Sequence, residues 1–458
     1  MKVLLVYPPY EHGYSSPPLG LMCIASVLEN AGHDVQIIDC TFDKLPGNFD
    51  KYDLVGVSFT SQLVAQARTI IDEIKTVSPN VKVIVGGPHT NSFGKDVFRD
   101  IPKTDFACVG EGEYTMLDLA NKTDPEKIKG LLWKDKADEV HINEPRPFIE
   151  TLDELPFPAR HLISLENYSE KGAMITSRGC PFRCVFCSKW TGRTYRAHSA
   201  KYVLSEMKEM IEKYHITSFY IQDDNFVANP QRASHIADGI VERGWNVRIN
   251  LGNGIRVDSI ARNEELISKL AKSGLRNVSL GVESISQEVL DATCKDITVE
   301  QVEKAIDILR KNKIEYYVFL VVGLPKDKLE NVEKTKKWIK KNHIKNYGVS
   351  LCTPYPNTDL WDFVNKNGVW LKKFDTIAES YSWHNLKNVY PIWETPDFPA
   401  VQRMNALLEL RRFSIIHWNY INFSKIMSSL KHPQLFLWWF TKWLSDKKTK
   451  FIHVFRKH

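Results

Sequence analysis

Three cysteines crowd into "ITSRGCPFRCVFCSKW", at positions 180, 184 and 187, while the other five of the eight are scattered. Thiolates bind soft metals: zinc, copper(I) and iron–sulfur clusters. A structural zinc ion usually takes four ligands, commonly in two pairs. No second pair follows here. Cys294 and Cys352 stand alone, which leaves His198 as the candidate fourth zinc ligand. Three unrelated core cysteines are the plainer reading, but Gly179 and Pro181 mark a loop. Three thiolates also suit an iron–sulfur cubane with one iron left open, a vacancy where a substrate can bind, like the open position of a catalytic zinc site.

The chain around this loop reads as α/β. Residues 1–120 alternate short apolar strands with helical patterns: "KVLLVY", "DVQIID", "LVGVSF", "VKVIVGG" and "FACVGEG" are the strands. Between them lie "LGLMCIASVLENAG" and "LVAQARTIIDEIKTV", with apolar residues at helical spacing. Such alternation predicts a parallel sheet covered on both faces, with ligands at the carboxyl ends of its strands. Residues 141–170, with "EPRPFIETLDELPFPARHLI", read as a linker. A second βα series begins at "AMITS" and continues through "SFYIQ", "VRINLG", "NVSLGVE", "YYVFLVVG" and "YGVSLC". Six units without a seventh predict a partial (β/α)6 TIM-type barrel over residues 171–370. The cysteine loop follows its first strand, at the end where barrel active sites lie.

"CPFRCVFC" resembles the CxxxCxxC motif of the radical S-adenosylmethionine enzymes, with Phe186 before the third cysteine. In that family the three cysteines hold a [4Fe-4S] cluster whose open iron chelates S-adenosylmethionine. One electron then yields a 5′-deoxyadenosyl radical, which abstracts hydrogen from an unactivated carbon. The resemblance extends through "YIQDDNF", "NGIRVD", "LGVES", "VVGLP" and "TPYPNTDLW". It implies cofactor contacts for Asp223, Asp224 and Asn225, and for Arg256 and Glu283 near the ribose or carboxylate. Helix capping and turn chemistry are the rival roles for the three residues after the second strand.

Residues 1–140 are similar to the Rossmann-like or flavodoxin-like cobalamin-binding domain that one subgroup of these enzymes carries. "GGPHTN" and "VGEGEYT" bear the likeness, and place Gly86, Gly87, His89, Gly110, Glu111 and Gly112 near the corrin. Glycines at strand ends let backbone approach a large flat ligand; ordinary βα turns are the alternative. For His89, a lone histidine beside a proline, a structural role is the alternative. The DxHxxG motif that supplies a cobalt ligand in cobalamin mutases is absent. His12 lies near the corresponding place with different flanks, so the lower cobalt ligand stays open. A flavodoxin-type or dinucleotide site is the runner-up, although no GxGxxG follows a strand.

Together these features imply a cobalamin-dependent radical enzyme that methylates an unactivated carbon of a lipid, isoprenoid, tetrapyrrole or other secondary metabolite. Radical ring formation or rearrangement without methyl transfer is the alternative, as is a non-catalytic cobalamin or metal sensor. The resemblance also implies an electron donor such as flavodoxin or ferredoxin.

Composition fits a soluble protein, at 43% apolar and 25% charged residues. No signal-peptide pattern opens the chain, so the expected location is cytoplasmic. The net charge of +6 is unevenly placed: from Arg411 onward, ten Lys or Arg face the single acid Asp446. The C-terminal region, 371–458, is expected to be mainly helical. Its tail, with "PQLFLWWFTKWL", combines aromatics and basic residues in a run too short to span a bilayer. Peripheral membrane contact and a helical cap on the barrel are the two readings; no nucleic-acid module accompanies the basic residues.

Overall fold

The structure, a computed structural model, describes residues 1–10, 16–188, 192–372 and 390–418, with side chains as far as 413. His12 and the aromatic, basic tail lie outside the described residues.

The N-terminal sheet has seven strands. Five are parallel: β1 (Lys2–Tyr7), β2 (Asp34–Asp39), β3 (Leu54–Ser58), β4 (Lys82–Gly86) and β5 (Phe106–Cys108). Two further strands, β6 (Leu131–Lys134) and β7 (Val140–Ile142), add on antiparallel at one edge. The order is 2-1-3-4-5-6-7. Its first five strands follow the flavodoxin-like pattern, in which ligands bind at the β1/β3 switch point. Near-continuous apolar runs form these strands because both faces are covered. Val3 and Leu5 pack with Leu21, Met22 and Leu28 of the helix Leu19–Asn30. Leu4 and Val6 face the other way, onto Ala67, Ile70 and Ile71 of the helix Val64–Val77.

The second sheet is parallel, with its six strands in chain order: β8 (Ala173–Met174), β11 (Ser218–Ile221), β12 (Arg248–Ile255), β13 (Leu275–Glu283), β14 (Glu315–Val322) and β15 (Tyr347–Leu351). This is the partial barrel. Two short strands between the first two, β9 (Ser177–Arg178) and β10 (Arg196–Ala197), pair antiparallel and pin the two ends of the cysteine loop. The single strand expected over "AMITS" is therefore split. Asp223 accepts hydrogen bonds from the Thr176 N–H, at 2.5 Å, and from the hydroxyls of Thr176 and Ser177, both at 2.6 Å, which draws the chain out of the sheet.

The connector between the sheets is anchored on both sides. The Ala159 N–H donates to the carbonyl of Met22 at 3.0 Å. Arg160 pairs with Glu206 at 2.7 Å, each side chain 3% exposed. Beyond the barrel, β16 (Val369–Trp370) pairs with β17 (Trp393–Glu394), and the helix Ala400–Trp418 covers β15. Its Ala406, Leu407 and Leu410 join the barrel core, and the Tyr347 hydroxyl donates to the Leu410 carbonyl. Among the described residues no helix is long and apolar enough to cross a membrane.

Candidate cofactor and active site

The cysteine loop leaves the sheet at Gly179, whose N–H donates to Asp224 at 3.1 Å. Cys184 is buried, Cys180 half-buried and Cys187 exposed. Burial raises Cys180, with Asp224 and Cys184 adding to it. The Cys187 thiol is pushed up to about 11 although the residue as a whole is exposed, because the protein packed round its sulfur desolvates it; Cys184 and Cys180 push the same way. A metal bound here must displace those protons. His198 is committed elsewhere: its ring stacks on Tyr202 at 3.9 Å, and its Nδ1 lies 3.3 Å from Asp153.

Two cations back the loop. The Arg256 guanidinium reaches to 4.0 Å from the Cys184 sulfur and lies over the Phe182 ring. Lys295 pairs with Glu283 at 2.9 Å, and its Nζ stands 5.8 Å from the Phe186 ring centroid. Glu283 holds a left-handed backbone, at φ +66°, as its strand ends. Lys295 and Phe182 escaped the sequence reading because no local pattern marks a contact made through Arg256 and Glu283.

The three residues after β11 divide their work. Asp223 spends both oxygens on Thr176 and Ser177. Burial raises its carboxyl, against the opposing charge of Arg232. Asp224 lines a cavity between the two sheets. Asn225 is 1% exposed, and neither end of its amide finds a partner. An orphaned buried amide costs stability until a ligand satisfies it. Asn225 directly follows Asp224, which accepts from the Gly179 N–H at the start of the cysteine loop.

The cavity, of about 710 Å³, opens between the carboxyl ends of the two sheets. Tyr7, Thr60, Gly86, Gly87, Gly110 and Gly112 wall it on one side; Ser177, Arg178, Gln222, Asp224 and Asn253 wall it on the other. Gly87, at φ +94°, has no room for a side chain: a Cβ would meet Ser58 Oγ at 2.8 Å and the Phe59 carbonyl at 2.9 Å. Gly110, at φ +96°, differs, since nothing lies within 4 Å of where its Cβ would be. A side chain there would project into space that the cavity keeps open. The Thr60 hydroxyl is buried in the wall without a partner. Open backbone, an unsatisfied hydroxyl and an apolar floor of Leu5, Ile24 and Met116 suit a large flat ligand bearing amide groups.

Two expected contacts lie differently. His89 is not in the wall. It is buried, stacked 4.3 Å from Phe93, with its nitrogens 3.0 Å from Ser61 Oγ and 3.1 Å from Asp100. Glu111 is in the wall, but its carboxylate is held by Arg178, Arg196 and the Ile149 N–H.

Residues 174–339 match the family model of the Radical SAM superfamily, and residues 11–120 that of the B12 binding domain. An uncharacterized methyltransferase of Pyrococcus horikoshii is 31% identical over 425 residues, spanning 88% of this chain and 90% of the relative. The chain belongs to the cobalamin-binding radical S-adenosylmethionine enzymes. The anaerobic magnesium-protoporphyrin IX monomethyl ester cyclase of Rubrivivax gelatinosus is 28% identical, over 79% of this chain and 69% of the relative. The fold is that of the radical S-adenosylmethionine methyltransferase TsrM of Kitasatospora setae, solved with cobalamin and a [4Fe-4S] cluster (TM-score 0.67, 20% identity, 80% of this chain and 74% of that one). The cofactors of this cobalamin-binding radical enzyme are therefore a [4Fe-4S] cluster, S-adenosylmethionine and cobalamin. It acts on a small molecule and draws on a reductant.

Proposed function

We propose that this enzyme methylates an unactivated carbon of a large apolar substrate of lipid, isoprenoid or tetrapyrrole type. The observation that carries the reading is the cavity walled by both sheets, with Gly110 open on one side and Asp224 beside the cysteine loop on the other. When bound, the cofactors supply a 5′-deoxyadenosyl radical from S-adenosylmethionine and a methyl group carried on cobalamin.

The chain's own residues then divide the task. Cys180, Cys184 and Cys187 hold the cluster, and the charges of Arg256 and Lys295 offset the thiolates. Asn225 and Asp224 hold the polar end of S-adenosylmethionine. Gly86, Gly87, Gly110 and Gly112 admit the corrin face, and Leu5, Ile24 and Met116 keep water from it. Flavodoxin or ferredoxin supplies electrons. The enzyme works in the cytoplasm, and the aromatic, basic tail docks it at a membrane that holds the substrate. Support for the apolar substrate comes from the tetrapyrrole named for the Rubrivivax relative and from the tail's composition.

The test is anaerobic turnover of the reconstituted chain with methyl-labelled S-adenosylmethionine, hydroxocobalamin, reductant and lipid and pigment extracts from cells lacking the gene. Label should appear in one extract component alongside 5′-deoxyadenosine. A component that loses hydrogen without gaining label would favour radical ring closure, the reaction type named for the Rubrivivax relative. For the tail, a chain ending at Arg411 should pellet less with anionic vesicles than the full chain; equal pelleting refutes membrane docking.

A further inference from the structure

Glu111 sits between two glycines of the cavity wall, yet its carboxylate points into a charge network. Oε1 accepts from Arg178 Nη1 at 2.8 Å and Arg196 Nη1 at 2.9 Å, and Oε2 accepts from the Ile149 N–H at 2.7 Å. The other arm of Arg178, Nη2, donates to Glu113 at 2.6 Å. Arg196 is the cross-strand partner of Arg178, stacks on Phe148 and donates to the Ile149 carbonyl. Two carboxylates from the N-terminal domain thus neutralise two guanidiniums from the barrel, all four side chains at most 13% exposed.

The place of Arg178 gives this network a consequence. It stands two residues before Cys180, in the strand that pins one end of the cysteine loop. Its neighbours are fixed from the barrel side: Ser177 by Asp223 and Gly179 by Asp224. The same short segment is therefore held to the barrel through its flanks and to the wall segment Gly110–Gly112 through its side chain. Arg178 forks between two carboxylates, Nη1 to Glu111 and Nη2 to Glu113, and the planar guanidinium carrying both bonds fixes orientation as well as distance.

We infer that Glu111 and Arg178 are positioning residues that set the spacing between the cobalamin cavity and the cluster cysteines. The inference rests on the cofactors of the family and is independent of which carbon is methylated. A purely structural role would lower stability when the pair is broken and leave that spacing unchanged in the folded fraction.

The experiment uses the full chain loaded with cluster and cobalamin, reduced so that the cluster and cob(II)alamin each carry an unpaired spin. Pulsed dipolar electron paramagnetic resonance then reads the distance between them. Wild type should give one narrow distribution. Glu111→Gln should retain iron and cobalamin per chain while the distribution broadens at least twofold. Glu113→Gln, which removes only the second arm of Arg178, should broaden it less. Unchanged distributions in both variants at full loading would overturn the inference. So would loss of cobalamin from Glu111→Gln with the remaining fraction at the wild-type distance, since the carboxylate would then belong to the corrin. Should Glu111→Gln not fold, Glu113→Gln decides: a distribution broader than wild type at full loading supports the inference, and an unchanged one overturns it. Wild-type protein lacking either spin would overturn the inference together with the cofactor assignment beneath it.

Discussion

The Arg256 guanidinium lies 3.5 Å from the centroid of the Phe182 ring, and its Nη1 is 4.0 Å from the sulfur of Cys184. Asp258, at 2.9 Å, and the Lys295 carbonyl, at 2.8 Å, hold it there. One residue of the third barrel strand's end thus clasps the middle of the cysteine loop. Net charge and hydrogen bonds to sulfur set cluster potentials. Arg256→Met should keep the cluster and lower its potential by on the order of tens of millivolts. Spectroelectrochemical titration reads this; an unchanged potential would remove Arg256 from the cluster's surroundings.

Gly110→Ala should separate cobalamin binding from folding. An L-residue in the left-handed region costs about 1–2 kcal/mol, and the added methyl enters the cavity. Gly32, at φ +83° and also with nothing within 4 Å, is outside the cavity wall. Gly32→Ala should lose similar stability by denaturant titration and bind cobalamin normally. Gly110→Ala should weaken cobalamin by about tenfold, close to 1.4 kcal/mol. Equal affinities in the two variants would contradict the placement of the ligand.

His198 makes stability depend on acid. Burial, aided by the charges of Arg178 and Arg232 and opposed by Asp153, lowers it to about 4. The unfolded chain therefore binds the extra proton first as pH falls. Stability is full above about pH 6.5 and declines toward pH 4, by about 3 kcal/mol at most. His198→Phe keeps a ring for Tyr202 and should flatten urea midpoints across that window. A slope equal to wild type would assign acid sensitivity to other groups.

The connector's buried pair gives a larger effect. Arg160→Ala leaves Glu206 charged and buried, at a cost of about 3–5 kcal/mol. Arg160→Met with Glu206→Leu should recover most of it, because no isolated charge remains. Calorimetric unfolding distinguishes the two; equal losses would mean that packing, not charge, dominates.

The two βα series were legible because strands covered on both faces are written as runs such as "KVLLVY" and "KVIVG". The cysteine motif was legible because its spacing is local. The hairpin of β6 and β7 was not: edge strands carry mixed residues, and its turn is fixed by Asp135 accepting from the N–H groups of Ala137 and Glu139. Strand β12 runs on to Ile255 through register shifts between Leu251 and Ile255, which hid its end behind Gly252 and Gly254. Glu111 was placed near the corrin by the likeness of "VGEGEYT", but its partners lie 67 and 85 positions away. No local pattern encodes pairings of that range.

Anaerobic reconstitution of the full chain, followed by addition of reductant, S-adenosylmethionine and hydroxocobalamin, shows whether the three cysteines hold a radical-generating cluster. The protein should be brown, bind a four-iron cluster and one cobalamin and release 5′-deoxyadenosine, with all cluster iron lost in Cys184→Ala while cobalamin stays bound. A colourless chain carrying a single zinc ion and releasing no 5′-deoxyadenosine would contradict that assignment.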